Sequence, residues 1–216
     1  MTMRSDAIDA LLMTVLLLNF FALGTSRLRA VINATAAQGI VLGIIAILVH
    51  RGFGVQSLLV AVGAAAIKGF VIPWLLLRAM RDVQIRREIE PFIGYVPSLL
   101  AGAVATGLAI LFARTLPLAE EHVGSLLVPA SLATVLTGFI ILTTRLKAIT
   151  QVAGYLILEN GIFIMGLTLV EAMPFLVEVG VLLDLVVAIF VMGIMIYRIN
   201  RQFESLDTHH LTRLKE

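Results

Sequence analysis

The sequence predicts an all-α integral membrane protein that crosses the bilayer as seven transmembrane helices. Three observations predict it. Of 216 residues, 60% are hydrophobic and 14% charged, and mean hydropathy is +1.03. A soluble domain carries about 25% charged and about 45–50% apolar residues, and a chain this small has too much surface to hide the excess in one soluble core. The apolar residues fall in seven continuous runs, each near the ~20 residues that carry a helix across ~30 Å of hydrocarbon. The basic residues gather at one set of the connections between those runs. An ordinary soluble enzyme and a disordered chain are both excluded.

The runs cover Ala7–Gly24, Val31–Val49, Gln56–Leu77, Tyr95–Ala113, Leu126–Thr143, Ile149–Val170 and Phe175–Tyr197. They are continuously apolar rather than alternating, and a helix satisfies its own backbone hydrogen bonds in lipid. Span 1 lacks a small-residue cleavage site and is followed by Arg27 and Arg29, so it reads as a retained helix. Residues 1–216 then form one membrane domain: a first three-helix unit at 7–77, a connector helix at 95–113, a second three-helix unit at 126–197 and a tail at 198–216. The longest connection, Arg78–Gly94, sets Arg78, Arg81, Arg86 and Arg87 beside Asp82, Glu88 and Glu90. It reads either as a solvated anchor at the lipid headgroups or as a dock for a soluble partner.

One set of connections and the tail hold 12 basic residues: Arg27, Arg29, Arg78, Arg81, Arg86, Arg87, Arg145, Lys147, Arg198, Arg201, Arg213 and Lys215. The opposite face holds 3, namely Arg4, Arg51 and Arg114. The positive-inside rule puts the C-terminus in the cytoplasm and the N-terminus outside, in the cell's inner membrane. The stretch Thr25-Ser-Arg-Leu-Arg-Ala-Val31 aligns with Thr143-Thr-Arg-Leu-Lys-Ala-Ile149, pair by pair identical or similar. Spans 1–3 and 5–7 would be parallel repeats with span 4 restoring orientation; duplication and shared loop chemistry both account for the match.

Ionisable groups at membrane depth cost ~2.5–3.5 kcal/mol each on insertion scales. Lys68 in span 3, Glu159 in span 6 and Asp184 in span 7 fall near mid-span, and Glu178 lies nearer the outer end of span 7. At 1.5 Å per residue, Glu159 and Asp184 both lie ~14–15 Å from their span starts. The tight Glu171-Ala-Met-Pro174 connection makes their helices antiparallel neighbours. Two carboxylates at one depth repel if both ionise, which calls for a retained proton or a nearby cation. Lys68 is the intramembrane cation this chain offers. Three readings follow: a proton or ion relay of Glu159, Asp184 and Lys68, a charge pair for helix packing or subunit contact, or a cation site. Asn19, Asn33, Gln38, Asn160, Thr14, Thr35 and Thr106 accompany them; Gln38, Asn33 and Asn160 read as interhelical hydrogen-bond glue. Gly39-x-x-x-Gly43 permits close helix contact but is a common pattern.

The chain has no cysteine, which excludes disulfides, thiolate-held iron–sulfur clusters and cysteine nucleophiles. His50, His122, His209 and His210 lie in connections or the tail, so no histidine pair faces another across the bilayer to hold a haem. No P-loop or dinucleotide fingerprint is present. The methionines sit in apolar runs as packing. Neither a cofactor nor nucleic acid is expected on this chain.

Gly154-Tyr-Leu-Ile-Leu-Glu-Asn-Gly161, Glu178-Val-Gly-Val-Leu-Leu-Asp184 and the tail Leu206-Asp-x-x-x-Leu-Thr-x-Leu-Lys215 resemble the membrane component E of hydrogenase 4 and related formate hydrogenlyase complexes, as do Lys68-x-x-x-x-Pro73 and Gln38. The resemblance extends over nearly the whole chain. Spans 5–7 are also similar to the K subunit of complex I and the C subunit of Mrp-type antiporters, a three-helix subunit with glutamates implicated in proton transfer in its second and third helices. Here the second-helix position falls on Leu156, with Glu159 one turn away, and Asp184 stands at or beside the third-helix position. The resemblance implies a non-catalytic subunit of a complex I-related membrane complex that contributes to a proton or sodium path. Its implied partners are antiporter-like membrane subunits, a membrane anchor subunit and a peripheral hydrogenase arm, which would hold the nickel–iron and iron–sulfur centres. Alternatives are an antiporter-complex subunit, a standalone secondary transporter with two three-helix repeats, and a scaffold within the same complex. A retinal protein ranks low, since its lysine belongs in span 7.

Overall fold

The computed structural model describes residues 2–49, 62–63, 66–82, 92–116 and 125–168. Every regular element among them is helical: α1 (Thr2–Gly24), α2 (Leu28–Val49), a π-helical turn (Ile67–Val71) running into α3 (Ile72–Asp82), α4 (Tyr95–Ala113), α5 (Leu127–Thr144) and α6 (Ala148–Leu167). α1, α2, α4, α5 and α6 are each long and apolar enough to cross a membrane. The chain is an integral membrane protein. Span 7, with Glu178 and Asp184, and the tail lie outside the described residues.

Two sequence expectations need correction. The third helix does not stop at Leu77: α3 continues to Asp82, so Arg78, Arg81 and Asp82 belong to a helix and not to the connection. Nor is it regular. The Ile72 N–H bonds back to the Ile67 carbonyl, five residues earlier. Pro73 explains the wide turn: proline has no N–H to give, and its ring collides with the carbonyl four residues before it.

α1 and α2 pack as one pair, α5 and α6 as another; α1 meets α5, α2 meets α6, α4 lies against α1 and α5, and the π turn and α3 lie on α2. The apolar core is tiered. One tier joins Leu12, Val15 and Leu16 to Leu42 and Ile45, Ala130 and Ala133, and Ile164. Towards the opposite rim, Leu23, Val31, Ile141 and Ile157 form a second cluster, and Leu28, Ile32, Leu76, Met80, Ile149 and Leu156 a third. The residue numbers skipped between the tiers on α1, α2, α5 and α6 carry the buried polar side chains.

Both rims are tied by polar contacts between helices. At the rim of the 25–27 and 145–147 connections, Arg145 is buried. It donates to the carbonyls of Leu23 at 2.7 Å and Ile93 at 3.4 Å, and its guanidinium lies 4.6 Å from the Tyr95 ring. A helix leaves its last carbonyls without partners; Arg145 supplies one for α1. Its counterpart in the sequence repeat, Arg27, is exposed, so the matching stretches occupy matching turns but do different work. At the other rim, Asp9 Oδ1 accepts the Leu126 N–H at 3.1 Å, capping α5 from a neighbouring helix, and Arg4 Nε donates to the Leu48 carbonyl.

α5 and α6 touch backbone to backbone. A Cβ on Gly161 would lie 2.5 Å from Val135 N and 2.8 Å from the Ser131 carbonyl oxygen; one on Gly154 would lie 2.8 Å from Ile141 Cγ2; one on Gly138 would strike the Leu158 backbone. Small residues let membrane helices approach this closely, and van der Waals contact is then the main attraction. Gly161→Ala is expected to cost about 1–3 kcal/mol, as overpacking does. Gly107→Ala, where a Cβ would meet nothing within 4 Å, is expected to leave stability unchanged. Unfolding of the two variants in mixed micelles checks the contrast.

Candidate functional site

The layer between the apolar tiers is a hydrogen-bonded row crossing four helices. Asn160 Nδ2 on α6 donates to Gln38 Oε1 on α2 at 3.3 Å. Gln38 Nε2 donates to Asn19 Oδ1 on α1 at 2.7 Å, and to the Val15 carbonyl at 3.5 Å. Asn19 Nδ2 donates to Thr134 Oγ1 on α5 at 2.9 Å. The Thr134 hydroxyl closes the row on the Ala130 carbonyl of its own helix at 2.7 Å. All four side chains are buried, Gln38 completely. An amide costs several kcal/mol in hydrocarbon without a partner, and here each is held by a neighbour.

An ion pair abuts this row. Lys68 Nζ lies 2.8 Å from Glu159 Oε1, with the side chains 13% and 2% exposed. Glu159 precedes Asn160 on α6, so the pair and the row share an origin. Lys68 stands on the π turn, and Gly39 seats it: a Cβ on Gly39 would lie 3.1 Å from Lys68 Cβ. Gly39 follows Gln38, so α2 supplies the row's central amide and the lysine's seat from adjacent positions. The Phe163 ring, one turn beyond Glu159, faces the ammonium with its centroid 5.1 Å from Nζ. Carboxylate and aromatic face both favour the cation. Removing one partner of such a pair costs far more than exchanging both for apolar groups.

Lys68 and Glu159 therefore meet as the sequence indicated, and Gln38 and Asn160 act as hydrogen-bond glue between helices. Asn33, read as glue too, is exposed. Thr14, Thr35 and Thr106 each donate to the carbonyl four residues back, the usual way a helix absorbs a hydroxyl in lipid. Glu178 and Asp184 lie outside the described residues. Sequence reasoning missed Thr134 as the end of the row, Phe163 as the ring beside the lysine and Arg145 as a buried clamp. Of these, Phe163 had a signal: it is four residues from Glu159, hence on the same face. Among the described residues no three His, Asp or Glu side chains gather to hold a metal.

The chain is 37% identical to the uncharacterized protein Rv0085 of Mycobacterium tuberculosis over 195 residues, covering 88% of this chain and 87% of that one. It is 26% identical to hydrogenase-4 component E of Escherichia coli K12 over 205 residues, covering 93% and 94%. The Shigella flexneri component E matches to the same extent. The chain belongs to the hydrogenase-4 component E family. No family model and no solved structure matches it. In this component E relative, the Gly154–Gly161 stretch has a divided task. Its glycines bring α6 onto α5, while Glu159 and Asn160 between them reach Lys68 and Gln38.

Gln38→Leu and Asn160→Leu are each expected to destabilise by about 1–2 kcal/mol, near the upper end for interhelical hydrogen bonds in membranes. The double variant is expected to lose less than the sum, because the groups share one bond. A double-mutant cycle on reversible unfolding in bicelles measures the coupling.

Proposed function

We propose that this chain is a non-catalytic membrane subunit of a complex I-related hydrogenase-type complex, where it contributes to a proton or sodium path coupled to electron transfer. The observation that carries the reading is the buried Lys68–Glu159 pair, at mid-helix and beside a continuous polar row. Ionisable groups so placed are functional by default. The printed name of the E. coli relative, a hydrogenase component aligned over 93% of this chain, supports the setting. Glu159 is the proton-exchanging group, Lys68 tunes its charge, and Asp184 on the seventh span is the next acid along the path. Partner subunits are antiporter-like membrane proteins, a membrane anchor and a peripheral arm. That arm would hold nickel–iron and iron–sulfur centres, for which this chain has no thiolate. The topology is seven spans with the N-terminus outside and the C-terminus in the cytoplasm. Residues 126–197 form the unit similar to the K subunit.

The π turn that carries Lys68 favours a second reading, a standalone transporter, since irregular helices at mid-membrane line substrate cavities. Ion uptake by liposomes containing this chain alone would promote it.

In the assembled complex, Glu159→Gln and Asp184→Asn keep shape and hydrogen bonding but not proton exchange. Each is expected to lower coupled ion uptake by inverted vesicles by about tenfold or more, in the range of lost acid–base steps, with subunit content unchanged. Lys68→Met is expected to impair uptake as well, and Lys68→Met with Glu159→Gln to be milder than the sum. Wild-type uptake in all three single variants rules out the relay.

Topology is tested separately. Single cysteines in the 83–91 and 120–124 connections of this cysteine-free chain are expected to label from opposite sides of the membrane. Labelling from one side refutes the seven-span arrangement.

A further inference from the structure

The outward face of the third helical segment carries a stripe unlike the rest of the surface. Phe70, Val71 and Trp74 are 67%, 47% and 57% exposed. Arg78, one turn beyond Trp74, is exposed too, with its guanidinium 5.5 Å from the Trp74 ring centroid. Among the described residues no carboxylate pairs with Arg78. The depth of the stripe follows from the inner side of the same helix. Leu76 and Met80 pack with Leu28 and Ile149, which stand at the first turns of α2 and α6. The C-terminal end of α3 therefore reaches the rim, Arg78 lies just within it, and Trp74 lies one turn deeper. Arg27 and Arg29, flanking Leu28, are exposed at that rim.

We propose that this face binds an anionic phospholipid, its phosphate held by Arg78 and one acyl chain laid along Trp74 and Phe70. A guanidinium presents five donors in a planar fork matched to phosphate oxygens. A tryptophan at headgroup depth offers an apolar body beside a polar edge. A neighbouring protein helix fits worse. Close helix pairs in membranes use small residues, and this stripe is Phe, Trp and Arg, with Gly69 turned inward against Ile40. The surrounding basic residues favour an anionic headgroup over a zwitterionic one, each worth up to about fivefold in affinity near the surface.

The chain has one tryptophan, so its fluorescence reports this site alone. The full chain is reconstituted in phosphatidylcholine vesicles containing a minor fraction of phosphatidylglycerol or phosphatidylcholine brominated in the acyl chain. Brominated phosphatidylglycerol is expected to quench Trp74 at about a fivefold lower mole fraction. Arg78→Gln is expected to abolish that preference, Arg78→Lys to keep part of it, and Arg114→Gln, at the opposite rim, to leave it intact. Equal quenching by the two lipids, or a preference that survives Arg78→Gln, overturns the proposal. Absence of quenching by either lipid overturns it too, because the face is then covered by protein.

Discussion

A charge moved into hydrocarbon must find its compensation inside the protein, and much of this structure follows from that demand. Lys68 is compensated by Glu159 and the Phe163 ring. For the lysine to reach them, the segment carrying it must sit against α2. Gly39 permits that approach, and Pro73 widens the helix where the lysine stands. The position of α6 is fixed from its other side by Gly154 and Gly161 against α5. A single ion pair thus constrains four of the helical segments, and the uncharged polar row extends the same rule to α1.

Spans were legible because their signal is long and redundant. About twenty consecutive apolar residues admit few readings, and α4 came out with the expected bounds, Tyr95–Ala113. The pairing of Lys68 with Glu159 was legible for a related reason: a chain with so few intramembrane charges leaves few combinations. Gln38 and Asn160 followed from the cost of isolated amides in lipid.

What escaped the sequence depended on azimuth and local backbone. Thr134 and Thr137 look alike in an apolar run, and only the rotation of α5 decides that Thr134 meets Asn19. Arg145 looked like one more rim charge, since a basic residue after a span is usually solvated. Its burial depends on where α1 ends and α4 begins, elements more than fifty residues away. The end of the third helix was misplaced because Arg78 signals interface, while an arginine long enough to snorkel lets a helix continue past that level. The π turn had a cause in Pro73, but a proline near an apolar run's end reads as a terminus rather than as an internal irregularity.

The glycine contacts between α5 and α6 bear on mechanics as well as on stability. Two helices meeting at their backbones have no layer of flexible side chains between them to absorb sliding, so they shift together as one strut. Glu159 and Asn160 ride on that strut, with Thr134 on its other half. Lys68 rides on the π turn across from it, and its contact with α2 is softer, a lysine stem resting on a glycine. Compliance in the polar layer is therefore concentrated on the lysine side: the carboxylate is the fixed jaw and the ammonium the moving one.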